Sequence, residues 1–223
     1  MQAEWLDTLP ASDPRAQRSR RELVRVNALM ANAGIVARTL AAAGRRPARL
    51  AEIGAGDGRF ASRLVRALGP APANARITLV DRQCGVDARA RAMLDAAGWR
   101  VEEVRADVFD WLADPASACE AIVANLFLHH FEPPDLSRLL GLAARRAAGF
   151  VACEPRRSVI ASGGARLLGL VGCGEVTRHD AVASVHAGFR GAELSQLWPR
   201  EPGWLVAEGP RGLFSHAFSA QRA

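Results

Sequence analysis

The run Ala51-Glu52-Ile53-Gly54-Ala55-Gly56-Asp57-Gly58-Arg59-Phe60 decides how the rest of the chain is read. Ala48 to Ile53 reads as a short strand, and a helix from about Arg59 to Leu68 follows it. Between them, glycines at 54, 56 and 58 let the backbone turn sharply without Cβ clashes. They also let a ligand lie against bare peptide at a helix N-terminus, where exposed N–H groups favour an anionic group. A dinucleotide fingerprint would read G-x-G-x-x-G/A, its third small residue packing helix on strand. Counted from Gly54 that position is Arg59, which sets a nicotinamide dinucleotide aside. What stands is acidic-x-G-x-G-x-G, beginning at Glu52.

Working outward, a second strand over Ala75 to Val80 ends on Asp81, 23 residues beyond Gly58. A third, Arg100 to Arg105, is followed by Asp107 in Val104-Arg105-Ala106-Asp107-Val108-Phe109. A fourth, Glu120 to Leu126, runs into Ala124-Asn125-Leu126-Phe127-Leu128-His129-His130-Phe131. Helices over Asp87 to Ala97 and Asp135 to Ala147, a short piece at Phe109 to Leu112, and a fifth strand at Gly149 to Cys153 complete the alternation. Strands alternating with helices at this pitch make a parallel sheet with right-handed crossovers. Trp204 to Glu208 and Leu213 to Ser219, around Gly209-Pro210-Arg211-Gly212, read as a closing antiparallel hairpin. Ahead of the sheet, Asp13 to Leu40 reads as helix, with Asp13 as N-cap, Pro14 in the first turn and Gly34 as the point of division.

The glycine motif with three later motifs in order, each at the C-terminal end of a strand, resembles the class I S-adenosylmethionine-dependent methyltransferases of the small-molecule type. The resemblance covers Ala48 to Cys153, and the hairpin matches the family's last two strands. It implies an α/β, Rossmann-like, doubly wound sheet of seven mostly parallel strands, the last antiparallel, with helices on both faces. It also implies one domain: a helical cap over 1–46, a cofactor-binding core over 47–157, a substrate-side helical insertion over 158–200 and a hairpin over 201–223. The cofactor would be S-adenosylmethionine, leaving as S-adenosylhomocysteine. Gly54, Gly56 and Gly58 would line its methionine end, Glu52 would order the loop and help receive the ammonium, and Asp57 would stand beside them. Asp81, with Arg82 next to it, would hold the ribose. Asp107 and Val108 would hold adenine, and Asn125 and Leu126 would offer carbonyls near the ammonium. For Asp81 and Asp107 the plain alternative is a turn or helix cap.

Methyl transfer from a sulphonium is an in-line displacement, and an oxygen nucleophile needs a base near neutrality, a role suited to histidine. Of His129 and His130, one is expected to face the pocket and its neighbour to cap the next loop. His179 and Asp180, in Glu175-Val176-Thr177-Arg178-His179-Asp180, are further candidates, with solvated polar residues on a cap helix as the alternative. His186 could share their helix face, and His216, in the last strand, reads as structural. Gly163 to Gly172 is apolar and glycine-dotted; with the N-terminal helix it forms either a lid over an apolar pocket or an ordinary helix pair. Arg156 and Arg157 either attract an acidic or phenolate substrate or are surface charge.

Composition bounds the partners. The chain has 223 residues, 49% hydrophobic and 23% charged, so it is globular, and its longest apolar runs fall short of a bilayer span. Its net charge is +6, yet all 29 basic residues are Arg, a compositional skew that gives loose attraction of anions rather than a nucleic-acid site. No N/D-P-P-Y/F box stands at Asn125, which argues further against nucleic acid. Arg15, Arg18, Arg20, Arg21 and Arg25 make either a solvated helix face or a basic flap. Cys84, Cys119, Cys153 and Cys173 lack metal-ligand spacing, so no metal is expected and most should be core fillers. The first fifteen residues lack the basic start and apolar core of an export signal, giving a cytoplasmic expectation for a monomer or homodimer. The expected reaction is O-methylation of a phenolic or polyketide-like hydroxyl. The alternatives are an rRNA or tRNA methyltransferase, or a cofactor-binding protein without catalysis.

Overall fold

The computed structural model describes residues 5–10, 12–42, 44, 46–83 and 85–223. Cys84, named in the sequence reading, lies outside the described residues. The elements in chain order are α1 (Trp5–Thr8), α2 (Pro14–Leu29), α3 (Asn32–Ala42), β1 (Arg49–Ile53), α4 (Arg59–Leu68), β2 (Arg76–Asp81), α5 (Ala88–Ala96) and β3 (Arg100–Arg105). There follow α6 (Val108–Ala113), β4 (Cys119–Asn125), α7 (Pro133–Arg146), β5 (Ala147–Pro155), α8 (Val159–Leu167), α9 (Glu175–Ala187), α10 (Glu193–Leu197), β6 (Trp204–Arg211) and β7 (Ser215–Arg222).

The strands form one sheet in the order β3-β2-β1-β4-β5-β7-β6. β1 to β5 pair in parallel, and β7 runs antiparallel between β5 and β6. This is the doubly wound, mostly parallel sheet expected. Successive side chains of a strand leave by opposite faces, so each central strand feeds two cores. Ala51, Ile53, Ile122 and Ala124 pack with Leu112 of α6, Leu136, Leu139 and Leu140 of α7, Phe150 and Phe218. Leu50, Ile77, Leu79 and Val123 pack on the other face with Val36 and Leu40 of α3, Leu64 and Val65 of α4 and Leu94 of α5. Strand order reverses between β1 and β4, opening a crevice at their carboxyl ends, where such sheets bind ligands.

Several boundaries differ from the sequence reading. The N-terminal helix divides at Ala31, which adopts φ 54°, and not at Gly34, which is an ordinary residue of α3. α7 begins at Pro133 because proline suits the first helical turn. β5 extends to Pro155 because Cys153, Glu154 and Pro155 continue its pairing with β7. The hairpin turns at 212–214, with Gly212 at φ 71°, while Gly209 and Pro210 stay in the edge strand β6, where a missing N–H is tolerated. Burial pushes the Cys119 and Cys153 thiols up to about 12, as befits core fillers. Arg15, Arg20, Arg21 and Arg25 form the solvated face of α2.

Candidate active site

The turn after β1 is built tightly. Gly54 and Ala55 N–H both donate to the Val80 carbonyl (2.9 and 3.1 Å), and Gly58 N–H to the Ala55 carbonyl (2.9 Å). Gly56 N–H donates to Asp81 Oδ2 (3.0 Å). These N–H groups are therefore committed inside the loop, which corrects the expectation that they stand open to an anion. What glycine supplies is room. A Cβ on Gly54 would lie 2.2 Å from the Phe127 ring, whereas one on Gly56 would meet nothing within 4 Å, leaving a cradle open to a ligand.

The lining of that cradle is acidic. Glu52 is 1% exposed, and its Oε2 has no hydrogen-bond partner among the described residues. Burial, reinforced by the negative charges of Asp57 and Asp81, pushes the Glu52 carboxyl well above its ordinary range. A cation brought to this carboxyl would offset both its burial and its two negative neighbours. Asp81 Oδ1 accepts from Gln83 N–H (2.8 Å), Asp57 pairs with Arg59 (3.3 Å), and the Arg82 side chain is exposed. Asp107 is the N-cap of α6, accepting from Phe109 N–H at 2.8 Å, which starts that helix at the buried Val108. Both the ribose and the adenine candidates thus perform capping or turn duties as well.

Across the crevice, Asn125 Oδ1 accepts from Asn32 Nδ2 (2.8 Å), and Asn32 Oδ1 accepts from Ser215 Oγ (2.7 Å). This ties the starts of α3 and β7 to the end of β4. Leu126 takes φ 53° and turns the chain into one turn of 3-10 helix, Leu128–His130. Beneath it lies Glu154, fully buried. Its Oε1 accepts from Phe127 and Leu128 N–H (3.0 Å each), and Oε2 lies 2.7 Å from His129 Nδ1. A carboxylate so held fixes the imidazole's orientation and favours the Nδ1–H tautomer, leaving the lone pair on Nε2. His130 packs on His129 with ring centroids 4.3 Å apart.

Both histidines line a cavity of about 440 Å³ walled by α2, α8, α9 and the segment 126–130. Leu23, Val26, Met30, Ala165, Val185 and Phe214 dominate its lining, Asn27 and Ser184 add polar groups, and no Asp, Glu or Arg among the described residues lines it. The N-terminal helix and the insertion therefore do cover an apolar pocket. His179 and Asp180 do not line it. Asp180 receives Trp5 and Leu6 N–H (2.7 and 3.0 Å) and His179 Nδ1 (2.9 Å), and the His179 ring stacks on Trp5 at 4.1 Å, so this pair docks α1. His186 is exposed, and His216, bonded to Glu208 at 2.8 Å, joins β7 to β6. Arg156 donates to the Gly212 carbonyl (3.2 Å) and Arg157 pairs with Glu193, so both brace loops. Glu154 and Asn32 escaped the sequence reading. For Glu154 a clue existed: an acid ending an apolar central strand, one residue beyond the Asn125–Cys153 pair.

Residues 50–148 match the model of a family described as a methyltransferase domain. The matched stretch holds the glycine turn, Asp81, Asp107 and the segment 126–130. No curated protein matches the chain in sequence. Among solved structures it is similar to an O-methyltransferase family protein from Burkholderia thailandensis (TM-score 0.63, 19% identity over 96% of this chain and 61% of that one). The pyocyanin biosynthetic protein PhzM gives 0.63 at 22% identity, over 98% of this chain and 61% of that one. The plantazolicin methyltransferase BamL, solved with a triazolic desmethyl analog and SAH, gives 0.69 at 10%, over 99% and 94%. The chain thus spans about three fifths of the first two. At these identities the likeness is one of fold. The methyl donor of such a domain is S-adenosylmethionine, and the crevice suits it: an orphaned buried carboxyl oxygen for its ammonium and an open glycine cradle for its amino-acid tail.

Proposed function

We propose that this chain moves a methyl group from S-adenosylmethionine to the hydroxyl oxygen of a small apolar acceptor of phenolic or polyketide-like type. The observation that carries the reading is the buried Glu154–His129 pair on the wall of an uncharged cavity. That wall continues through Phe127 to the glycine turn. In this reading residues 47–157 hold the cofactor with Glu52, Gly54, Gly56, Asp57, Gly58, Asp81, Arg82, Asp107, Val108, Asn125 and Leu126. Residues 1–46 and 158–200 cover the acceptor, and the hairpin over 201–223 closes the sheet.

The cofactor supplies an electrophilic methyl carbon on a sulphonium, and the protein positions and deprotonates. Glu154 holds the His129 ring by Nδ1, so that Nε2 takes the acceptor's hydroxyl proton as the oxygen–carbon bond forms and the carbon–sulphur bond breaks. The aliphatic lining excludes water and holds the oxygen in line. An apolar, uncharged lining favours a small organic acceptor over a sugar-phosphate chain, and an oriented dyad favours catalysis over mere cofactor binding. The test is a panel of neutral phenols with labelled donor. Transfer to at least one, lost in His129→Asn while S-adenosylhomocysteine still binds, supports the reading. Equal turnover in the variant removes the base.

A further inference from the structure

Helix α8 is built inside out. It buries its alanines, Ala161 (1% exposed) and Ala165 (7%), and turns Val159 (89%), Ile160 and Leu167 (59%) to the outside. The one-turn 3-10 segment that follows, Leu168–Val171, exposes Leu170 (83%) and Val171 (74%). A spacing of seven residues places Ile160 and Leu167 on one stripe of α8. Phe214, at the β6–β7 turn, packs against Gly164, where an added Cβ would lie 2.8 Å from its ring, and Leu213 beside it is exposed. Leu167, Val171 and Phe214 are at once surface residues and lining of the acceptor cavity, so the patch is the mouth of that cavity.

The rim of the mouth is predominantly basic, with Glu175, exposed at the start of α9, and Glu193, paired with Arg157, as the acids beside it. From Pro155 to Gly174 the sequence holds three arginines and no acidic residue. Arg166 is exposed on α8 itself. Arg18 donates to the Gly172 carbonyl (2.9 Å), Arg178 lies along Gly169, and Arg156 reaches the Gly212 carbonyl. Glu22, the acid nearest Arg18, is buried beneath it in an ion pair. An apolar patch of this kind calls for a partner. A second copy of the chain would set arginine rim against arginine rim, which opposes a symmetric self-contact. Large apolar side chains ringed by arginine suit an anionic bilayer surface, with the side chains in the interface and the guanidinium groups among the headgroups. No helix of the described residues is long and apolar enough to cross a membrane.

We propose that the face formed by Val159, Ile160, Leu167, Leu170, Val171 and Phe214 docks on anionic lipid bilayers, so that the acceptor cavity opens into the membrane interface.

The test is co-sedimentation of the full chain with vesicles of phosphatidylcholine alone and of equal parts phosphatidylcholine and phosphatidylglycerol. Binding needs neither cofactor nor acceptor, so its outcome is independent of the methyl-transfer reading. The chain is expected on the anionic vesicles and to come off as salt is raised. Val159→Ser and Leu170→Ser, both on the exterior and outside the cavity lining, should each weaken partitioning about tenfold. Arg166→Gln should weaken it about fivefold. Thermal melts and S-adenosylhomocysteine titration of each variant show that the fold persists. Absence of binding to anionic vesicles, or binding untouched by both serine variants, overturns the proposal. So does a dimer in sedimentation velocity that the serine variants dissociate, since the face would then belong to a second copy.

Discussion

The two walls of the crevice are made on different plans. On the proposed cofactor side, the candidate ligand-facing groups sit on strand ends and on the turn right after them. Glu52 stands one residue before the end of β1, Asp81 closes β2, and the glycine turn is locked to the Val80 carbonyl and to Asp81. On the acceptor side, α2, α8 and α9 come from opposite ends of the chain and are joined by side chains. Thr177 Oγ1 donates to Glu22 Oε2 (2.6 Å), Gly174 N–H donates to the same oxygen (2.8 Å), and Asp180 carries the first residues of α1. A rigid sheet edge is suited to one invariable cofactor, whereas helices held by a few polar clasps over small apolar residues can be reshaped for different acceptors. Glu154 is where the plans meet: a strand-end residue of the sheet that orients a histidine facing the acceptor cavity.

If the walls divide the work in this way, damage to the junction should separate chemistry from binding. His129→Asn is expected to lower turnover roughly 100- to 10,000-fold with S-adenosylhomocysteine affinity kept, as measured by steady-state kinetics beside calorimetry. Glu154→Gln should fall in the same direction by less, because the imidazole loses its orienting charge but keeps its place. Loss of cofactor affinity in His129→Asn would merge the two walls into one.

The cofactor wall should be the intolerant one. Gly54→Ala combines a left-handed backbone, φ 71°, with a clash against Phe127, and should lower stability by about 2–4 kcal/mol in chemical denaturation. Gly56→Ala, at φ 52° with open space around it, should cost only about 1–2 kcal/mol yet weaken S-adenosylhomocysteine binding more. Glu52→Gln gives a sharper contrast. Because the folded carboxyl titrates above its unfolded range, the free protein loses stability as pH rises past the ordinary carboxylate range. The glutamine variant should therefore melt higher at neutral pH while binding the product roughly tenfold or more weakly.

The polar clasps of the acceptor wall, which lie outside the cavity lining, should respond in stability alone. Asp180→Asn removes a charged acceptor for two backbone N–H groups of α1 and should cost about 1 kcal/mol with turnover unchanged. A large loss of turnover there would restore His179 and Asp180 to the chemistry. At Glu22, burial would raise the carboxyl, but hydrogen bonds from Thr177, Arg18 and Gly174 outweigh it and hold it low. Its clasp is thus present above the ordinary carboxylate range and is lost as pH falls through the lowered value. Acid melts of Glu22→Gln should show a shallower decline than those of the natural chain.

The same contrast explains what could be read in advance. The order of motifs from Glu52 to His130 is local: a strand, a turn and a helix start each have a signature within ten residues. The strand-helix alternation and the antiparallel close were legible for that reason. The division of the N-terminal helix was not, since Ala31 adopts a left-handed backbone that its residue type does not announce. Nor were the distant partners of Asp180 (Trp5 and Leu6) and of Glu22 (Gly174 and Thr177), which lie more than 150 residues away in sequence. Asp107 as helix cap and His216 as structural histidine follow local rules and could be weighed from sequence. The role of Glu154 required seeing β5 beside β4, where one register pair sets the acid under Leu128 and His129.

Crystals grown with S-adenosylhomocysteine test the central claim most directly. Its amino group should lie within hydrogen-bond reach of Glu52, its tail across Gly56 and its sulphur towards the wall of residues 126–130. Density for the product instead in the groove of about 300 Å³ between α3, β5 and β7, with the glycine cradle empty, would contradict the account.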